Sequence, residues 1–323
     1  MKHIRILVTI ALAVLVGSES LAQTYPTKPI TFVVALAPGG AADVIARAMG
    51  QRLTELLGQP IIVENRSGAN TQIAADYVAK MAPDGYTLLV TAEHTFTVNQ
   101  FLYHKLQYDP AKDFTPVSGL VAVDQALIVN PSTSMKNVSD LIALAKAKPG
   151  EVSYGSLGVG SGPHLSMVQL QRAAGIKLNA VQYKGAAPAI NDIMGDHIPV
   201  MFASTGLVAA ANAAGKLKLL GIGSAKRLAQ LPNVPAIAEI LPGFRARLWF
   251  GVFTPSGTSR DIVVKLNTAI QGVLADPKFR DTILIPNFYE PMTGSPDQFS
   301  EQIKTDAAKW GKLIADEKIT IDE

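Results

Sequence analysis

Two glycine turns carry the residue types with which a chain can hold a negatively charged ligand. In "VVALAPGGAADVIARAMG" an apolar run passes through Pro38-Gly39-Gly40 into residues that recur every three or four positions. Gly39 and Gly40 have no side chains, so a ligand can approach the backbone closely there. The amides that open the following helix have no partners inside it and carry about half a positive charge of dipole, which makes Pro38, Gly39, Gly40 and Ala41 an anion seat. "SYGSLGVGSGPHL" repeats the arrangement with Gly158 and Gly160 and adds the hydroxyls of Ser156 and Ser161 and the imidazole of His164. A hydrogen bond to a charged group contributes roughly 1.5–3 kcal/mol, so four supply about 6–12 kcal/mol, where micromolar affinity needs about 8 kcal/mol. Backbone donors and hydroxyls therefore suffice without an arginine clamp.

Other residues have two readings each. Asp43, in the first turn of the first helix, complements the dipole, or from a cleft it repels a second carboxylate and welcomes an amine. Glu93, His94 and Thr95 close a strand and either line a cleft or form a solvated loop. Tyr183 and Gly185 precede another helix start, where the alternative is a plain turn. Ser161 and His164 stand three apart, but a serine near a helix start is usually a cap. Gly158 to Pro163 fits neither the G-x-S-x-G nucleophile elbow nor a G-x-G-x-x-G dinucleotide loop. Without cysteine, and without a His pair at metal spacing among His94, His104, His164 and His197, neither a thiolate nucleophile nor a metal site is expected. No cofactor and no catalytic role are expected.

The elements that must position these turns alternate along the chain. "ITFVVAL" is a strand buried on both faces. Ile45, Met49, Leu53 and Leu56 then trace one face of a helix that ends near Gly58. "PIIVEN" is the next strand, "ANTQIAADYVAKMAPDG" a helix stopped at Pro83-Asp84-Gly85, and "YTLLVTA" a third strand. A second series starts near Gln125: "ALIVNP" as strand, "NVSDLIALAKAKPG" as helix, "EVSYGS" as strand into the second glycine turn. Further strands are expected at Ala180 to Tyr183, Pro199 to Phe202 and Lys218 to Gly223, between helices from Pro188 and Leu207. "LWFGVFTP" reads as a return crossing. Ser295, Pro296 and Gln298 form a capping box for a last helix with Phe299, Ile303, Ala307, Trp310 and Ile314 on its apolar side. Such alternation predicts an α/β molecule whose mostly parallel sheets are flanked by helices.

Composition limits the class. The 323 residues are 48% hydrophobic and 17% charged, enough for a large core in two domains. Lys2 and Arg5 precede an apolar run from Ile6 to Val16, and Ser20-Leu21-Ala22 offers a cleavage point, which predicts a signal over residues 1–22 and export to the periplasm. No later apolar segment reaches the roughly 20 residues of a membrane span. A formal charge of +3, with no dense Lys/Arg block, argues against nucleic acid as a partner. An exported chain with no cysteine depends on core size for its stability.

"YPTKPITFVVALAPGGAADVIAR", "GQPIIVENRSGA", "PDGYTLL", "YDPAKDFTPVS", "KPGEVSYGSLGVGSGPHL", "VQYKGAAPAIND", "AAGKLKLLGIGSAKR" and "WFGVFTPSGTS" stand in an order and spacing that resembles the tripartite tricarboxylate transporter receptors, or Bug-type periplasmic solute-binding proteins, over nearly all of residues 25 to 318. The resemblance implies a two-lobed, hinged, type II binding-protein fold that closes on a small carboxylate and delivers it to membrane subunits of a transporter. It also implies that the carboxylate-gripping loops are Pro38 through Asp43 and Ser156 through His164. The chain departs from the family in two places. It reads "ENRSGANTQIAA" where members commonly read "ENRPGAGGNIGA", and Ala203 stands where an aspartate is often found. The second departure favours an organic acid over an amino acid, with Ser204 and Thr205 as polar contacts. The expected lobes are residues 24–124 with 250–323, and 125–249, in a monomer. The rival readings are a secreted α/β hydrolase acting on a carboxylate or ester, and a sensory ligand-binding protein.

Overall fold

Strand β1, Ile30–Val34, is the expected buried run, with Ile30, Phe32, Val33 and Val34 wholly enclosed in the computed structural model, which describes residues 25–321. The expected export signal lies outside those residues. Helix α1, Ala41–Leu57, buries Ile45, Met49 and Leu53 against β1 and stops at Gly58, whose φ of 69° is the left-handed cap that glycine provides. Strands β2, Ile61–Asn65, and β3, Thr87–Ala92, both pair with β1 in parallel, as the strand-helix alternation predicts. Helix α2 is shorter than expected, Gln72–Ala79. The residues before it, Ala69, Asn70 and Thr71, have φ values of 45°, 48° and 76°.

The second series departs further from expectation. Strand β4 starts at Phe114, well before Gln125, and runs 16 residues to Val129. Pro116 and Gly119 obscure it in the sequence. The ladder absorbs both by shifting register between Pro116 and Ser118 and between Gly119 and Val121. From there α3 (Val138–Ala147), β5 (Ser153–Ser156), α4 (Gly162–Ala174), β6 (Asn179–Gln182), α5 (Ala186–Met194), β7 (Val200–Ser204), α6 (Thr205–Ala213) and β8 (Lys218–Ile222) follow in the expected alternation. Strand β9, Arg247–Pro255, is the return crossing, followed by α7 (Arg260–Ala275), the short β10 (Tyr289–Pro291) and α8 (Pro296–Asp316).

The fold is two-lobed, and β4 belongs to both lobes. Its first half pairs with β9 and β10, its second with β7 and β8, and the change falls between Asp124, opposite Arg247, and Gln125, opposite Ser204. On the return path, Ala246 still bonds Gly223 and Gln125, whereas Arg247 has joined the first sheet. Parallel pairing holds for β1 with β2 and β3 and for β5 with β6 and β7. The five ladders made by β4 and β9 are antiparallel, because these strands carry the chain across the seam in opposite directions.

Each lobe has its own core, centred on Phe32, Ile45 and Leu53 in the first and on Leu127, Leu141 and Phe202 in the second. A third apolar cluster joins Val98 and Leu102 of the first lobe, Leu165 and Val168 on α4, and Trp310, Leu313 and Ile314 on α8. The capping box of α8 forms as read: Gln298 N–H donates to Ser295 Oγ at 3.2 Å, and Ser295 N–H to Gln298 Oε1 at 2.9 Å. Trp249 packs edge-on against Phe299 and donates its Nε1–H to Asp306 at 2.8 Å, a core position tied to the last helix.

Candidate functional site: two helix starts at the seam

Register alone directs the two glycine turns to the same place. Ala92, at the end of β3, lies opposite Phe250, three residues from the point where β9 enters the first sheet. β1 runs parallel to β3, so the turn after Leu36 leaves the sheet at that end. In the second lobe Ser204, the last residue of β7, lies opposite Gln125 at the crossing, and β5 runs parallel to β7. The loops after β1, β3, β5 and β7 therefore all open on the seam, beyond the carboxyl ends of their strands.

In the first turn the bare amides are not those of Gly39 and Gly40. Gly39 N–H donates to Asp43 Oδ2 at 3.0 Å, and Gly40 N–H points at the Ala37 carbonyl at 3.4 Å. Asp43 is buried and also receives Arg47 Nε at 3.0 Å and Asn65 Nδ2 at 2.9 Å. Burial opposes its ionisation, but the bonds from Arg47, Gly39 and Asn65 outweigh that and hold the carboxyl below its usual range. Its carboxylate thus closes the turn instead of facing the seam. The helical ladder begins only with Val44 N–H on the Gly40 carbonyl, and Gly40 brings no side-chain cap. The amides of Ala41, Ala42 and Asp43 are the uncommitted donors. Gly39 has φ +76° with open space where a Cβ would stand, so glycine is required there by conformation, not by crowding.

The second turn is built on the same plan. Gly158 N–H donates to Gln182 Oε1 at 3.0 Å and Gly160 N–H to His164 Nδ1 at 3.3 Å. Ser156 and Ser161 turn their hydroxyls onto the Gly158 carbonyl, at 3.3 and 2.7 Å, so neither caps α4. The ladder starts with Leu165 N–H on Ser161 O, and Pro163 has no N–H, which leaves the amides of Gly162 and His164 free. Burial pushes the His164 imidazole down to about 4, so it is neutral at pH 7. Because Nδ1 accepts, the proton sits on Nε2. Ser161 and His164 make no hydrogen bond to each other, so the nucleophile-base contact that acyl transfer needs is missing from this pair.

The remaining expected residues serve the frame around the seats. Glu93 and His94 are buried at the start of a short helix, His94–Thr97, so the solvated-loop alternative does not hold. Burial, and then Asp306 on α8, keep the Glu93 carboxyl well above its usual range. His94 is neutral for the same reason as His164 and has a buried Nδ1 without a hydrogen-bond partner. Tyr183 donates its hydroxyl to Asp192 at 2.6 Å, and Gly185 caps α5 in an extended conformation with open space around it. Ser204 makes no side-chain cap for α6, and the Thr205 hydroxyl donates to the Asp124 carbonyl at 2.7 Å, across the crossing itself.

Gln125 and Asn99 were not singled out by their sequence, and Asn70 only within the departing stretch "ENRSGANTQIAA". Gln125 is buried beside the first turn of α4, where its Nε2 donates to Ser166 Oγ at 2.7 Å and its Oε1 has no partner. Asn70 and Asn99 bond each other, and Asn70 reaches the Val159 carbonyl of the second turn from the opposite lobe at 3.3 Å. Two polar residues with no helical or strand periodicity give no signal until the fold brings them together.

Two α/β lobes joined by paired crossings, with helix starts of both turned to the seam, define a hinged solute-binding protein. The family model described as "Tripartite tricarboxylate transporter family receptor" matches residues 45–319, and the chain belongs to that family. It is 35% identical to Protein BugT of Bordetella pertussis over 295 residues, covering 91% of this chain and 90% of that protein. Among solved structures it is similar to Rpa4515 of R. palustris with adipate, with a TM-score of 0.88, 34% identity, and 92% and 100% of the two chains covered. It is similar also to MatC (Rpa3494) of Rhodopseudomonas palustris with bound malate, with a TM-score of 0.83, 30% identity, and coverage of 90% and 100%. The family is one of receptors, not enzymes, and a further structural neighbour is described as the periplasmic binding protein BugD. No helix among the described residues is long and apolar enough to cross a membrane.

Proposed function

We propose that this chain is an exported periplasmic receptor that takes one small carboxylate between its lobes and hands it to the membrane subunits of a tripartite transporter. The observation that carries the proposal is the pair of uncapped helix starts at the seam, Ala41 to Asp43 and Gly162 to His164, each with free amides and a positive dipole end. The proposed lobes are residues 25–124 with 247–321, and 125–246, a division supported by where β4 and β9 change partners. Ligand favours the closed arrangement because only there do both seats reach it. Adipate and malate, held by two structural neighbours, make an organic acid the first class to test.

The test is a thermal-shift screen of the mature chain against adipate, malate, other dicarboxylates, aromatic acids and amino acids. A ligand at a hundredfold excess over its dissociation constant stabilises the folded chain by about 2.7 kcal/mol. Stabilisation by carboxylates, lost when the carboxyl group is amidated, is the expected result. Equal response to acids and amides, or none to any acid, would overturn the proposal.

A further inference from the structure

We infer that Asn70 is a positioning residue for the second seat: it reaches from the first lobe and fixes the Val159–Gly160 peptide from which the turn enters α4. The inference rests on the reading of that turn as a ligand seat, but the contact itself is independent of any ligand.

That peptide is held on both sides. Its carbonyl, on Val159, accepts from Asn70 Nδ2 at 3.3 Å, and its N–H, on Gly160, donates to His164 Nδ1 at 3.3 Å. One partner lies in each lobe. The peptide also sits in a cup of the first lobe so close that a Cβ on Gly160 would stand 2.3 Å from Leu102 Cδ1, 3.1 Å from Val98 Cγ1 and 3.4 Å from Asn70 Nδ2. Only an open seam relieves that approach, so docking of the turn and closure of the lobes are one event on this flank.

Asn70 is held ready for the contact at a conformational cost. Ala69, Asn70 and Thr71 are consecutive non-glycine residues in the left-handed region, which disfavours side chains, asparagine least. A network of side chains keeps the loop there. Asn70 Nδ2 also donates to Asn99 Oδ1 at 2.8 Å, and Asn99 Nδ2 returns a bond to the Asn70 carbonyl at 2.8 Å. Thr71 and Thr95 share a hydrogen bond between their hydroxyls at 2.8 Å, and Thr95 in turn bonds Thr91 at 2.6 Å. The Asn70 amide therefore stays oriented toward the seam whether or not the second turn is docked, and docking adds the Val159 carbonyl as its second acceptor.

The cysteine-free chain lets the distance across the docked turn be read directly. Lys105→Cys, three residues past Leu102, and Lys184→Cys, two past Gln182, place spin labels on exposed positions on either side of it. Pulsed electron resonance on the ligand-free chain is expected to give a main short distance. Asn70→Asp keeps the shape but cannot donate, and Asn70→Gly adopts the left-handed turn freely but cannot donate either. Both are expected to lower the ratio of short to long distances about fivefold, because only the bond to Val159 crosses the seam, while the bond to Asn99 is lost from the open and closed forms alike. If Asn70 only shapes the loop, the glycine variant will match the parent. That match, or a parent that is already open without ligand, overturns the inference. Carboxylate binding is measured separately by thermal shift, so either claim can fail alone.

Discussion

The Gly39 amide donates to the carboxylate of Asp43, four residues ahead, so the acid in the first turn of α1 closes the loop that leads into its own helix. The geometry resembles half of a capping box, with the side chain reaching back past Gly40 to an N–H outside the helix. Arg47 and Asn65 bond the same carboxylate, so the loop is tied to both α1 and β2. The amides that stay free are those one step further on, where the dipole is strongest.

Removing that tie loosens the first seat. Asp43→Ala is expected to lower stability by about 1–3 kcal/mol and to weaken carboxylate binding, because the Gly39 N–H and the half-buried Asn65 amide each lose an acceptor. Asp43→Asn keeps one acceptor and should fall between the two. The folded-state pKa of Asp43 is depressed, so its contribution is fully present above the unfolded value of about 3.9 and disappears as pH falls through the folded one. The gap between parent and Asp43→Asn in urea titrations should accordingly narrow as pH falls below about 4, and a gap that does not narrow would contradict the assignment.

The glycines of the two turns differ in what they tolerate. A Cβ at Gly40, whose φ is negative, would touch the Ala37 carbonyl at 3.3 Å, a contact that a small shift relieves. At Gly160 the same atom meets a buried Leu102 methyl at 2.3 Å from a backbone at φ +82°. Gly160→Ala should cut carboxylate affinity by a factor of about ten or more through imposed opening and strain, at about 1–2 kcal/mol. Gly40→Ala should lose less than half of that in free energy. Isothermal titration with whichever acid the thermal screen returns compares the two, and circular dichroism checks that both remain folded.

What the sequence made legible follows from periodicity. The five-element opening of the first lobe, the helix cap at Ser295 and the two glycine turns at strand ends were all readable, because buried strands, amphipathic helices and caps each leave a local pattern. β4 was only half readable, since Pro116 and Gly119 look like breakers and become tolerable only through register shifts against β9. Asp43 does stand in the first turn, where its charge complements the dipole, but its bond to Asn65, 22 residues away on another strand, left no local pattern. Asn70 stood out only as a departure from "GAGGNIGA". Its left-handed backbone gives that departure a physical meaning, since glycine adopts such a conformation without penalty.

Glu93 offers a stability test of the opposite sign. It is buried near Asp306 of α8, and its carboxyl is held well above the usual range, first by desolvation and then by that neighbouring charge. In the folded chain it stays protonated at pH values where the unfolded chain has already released the proton. Stability therefore falls as pH rises from the unfolded value of about 4.3 toward the folded one. Glu93→Gln removes that slope at nearly the same shape and should become progressively more stable than the parent as pH rises above about 4.3 toward the folded value. Trp249, bonded to Asp306, supplies the fluorescence signal for unfolding.

His164 carries the remaining pH dependence of the site. Its imidazole accepts the Gly160 N–H through Nδ1 and is pushed down to about 4 by burial, so it is neutral in the folded chain and protonates only with loss of that bond. The unfolded chain takes up the proton near 6.5, so between about 6.5 and 4 it binds more protons than the folded chain and stability declines as pH falls. His94, buried and also lowered to about 4, adds a second decline of the same sign. His164→Gln retains an acceptor for Gly160 without a titrating group and is expected to flatten part of the slope, with His94→Gln removing the other part. Carboxylate affinity should decline in both proteins as the ligand's own carboxyl protonates near pH 4, and more steeply in the parent than in His164→Gln, because only the charged ring must release the peptide that leads into α4. Equal pH profiles for binding in the two proteins would show that the Gly160–His164 bond plays no part in holding the seat.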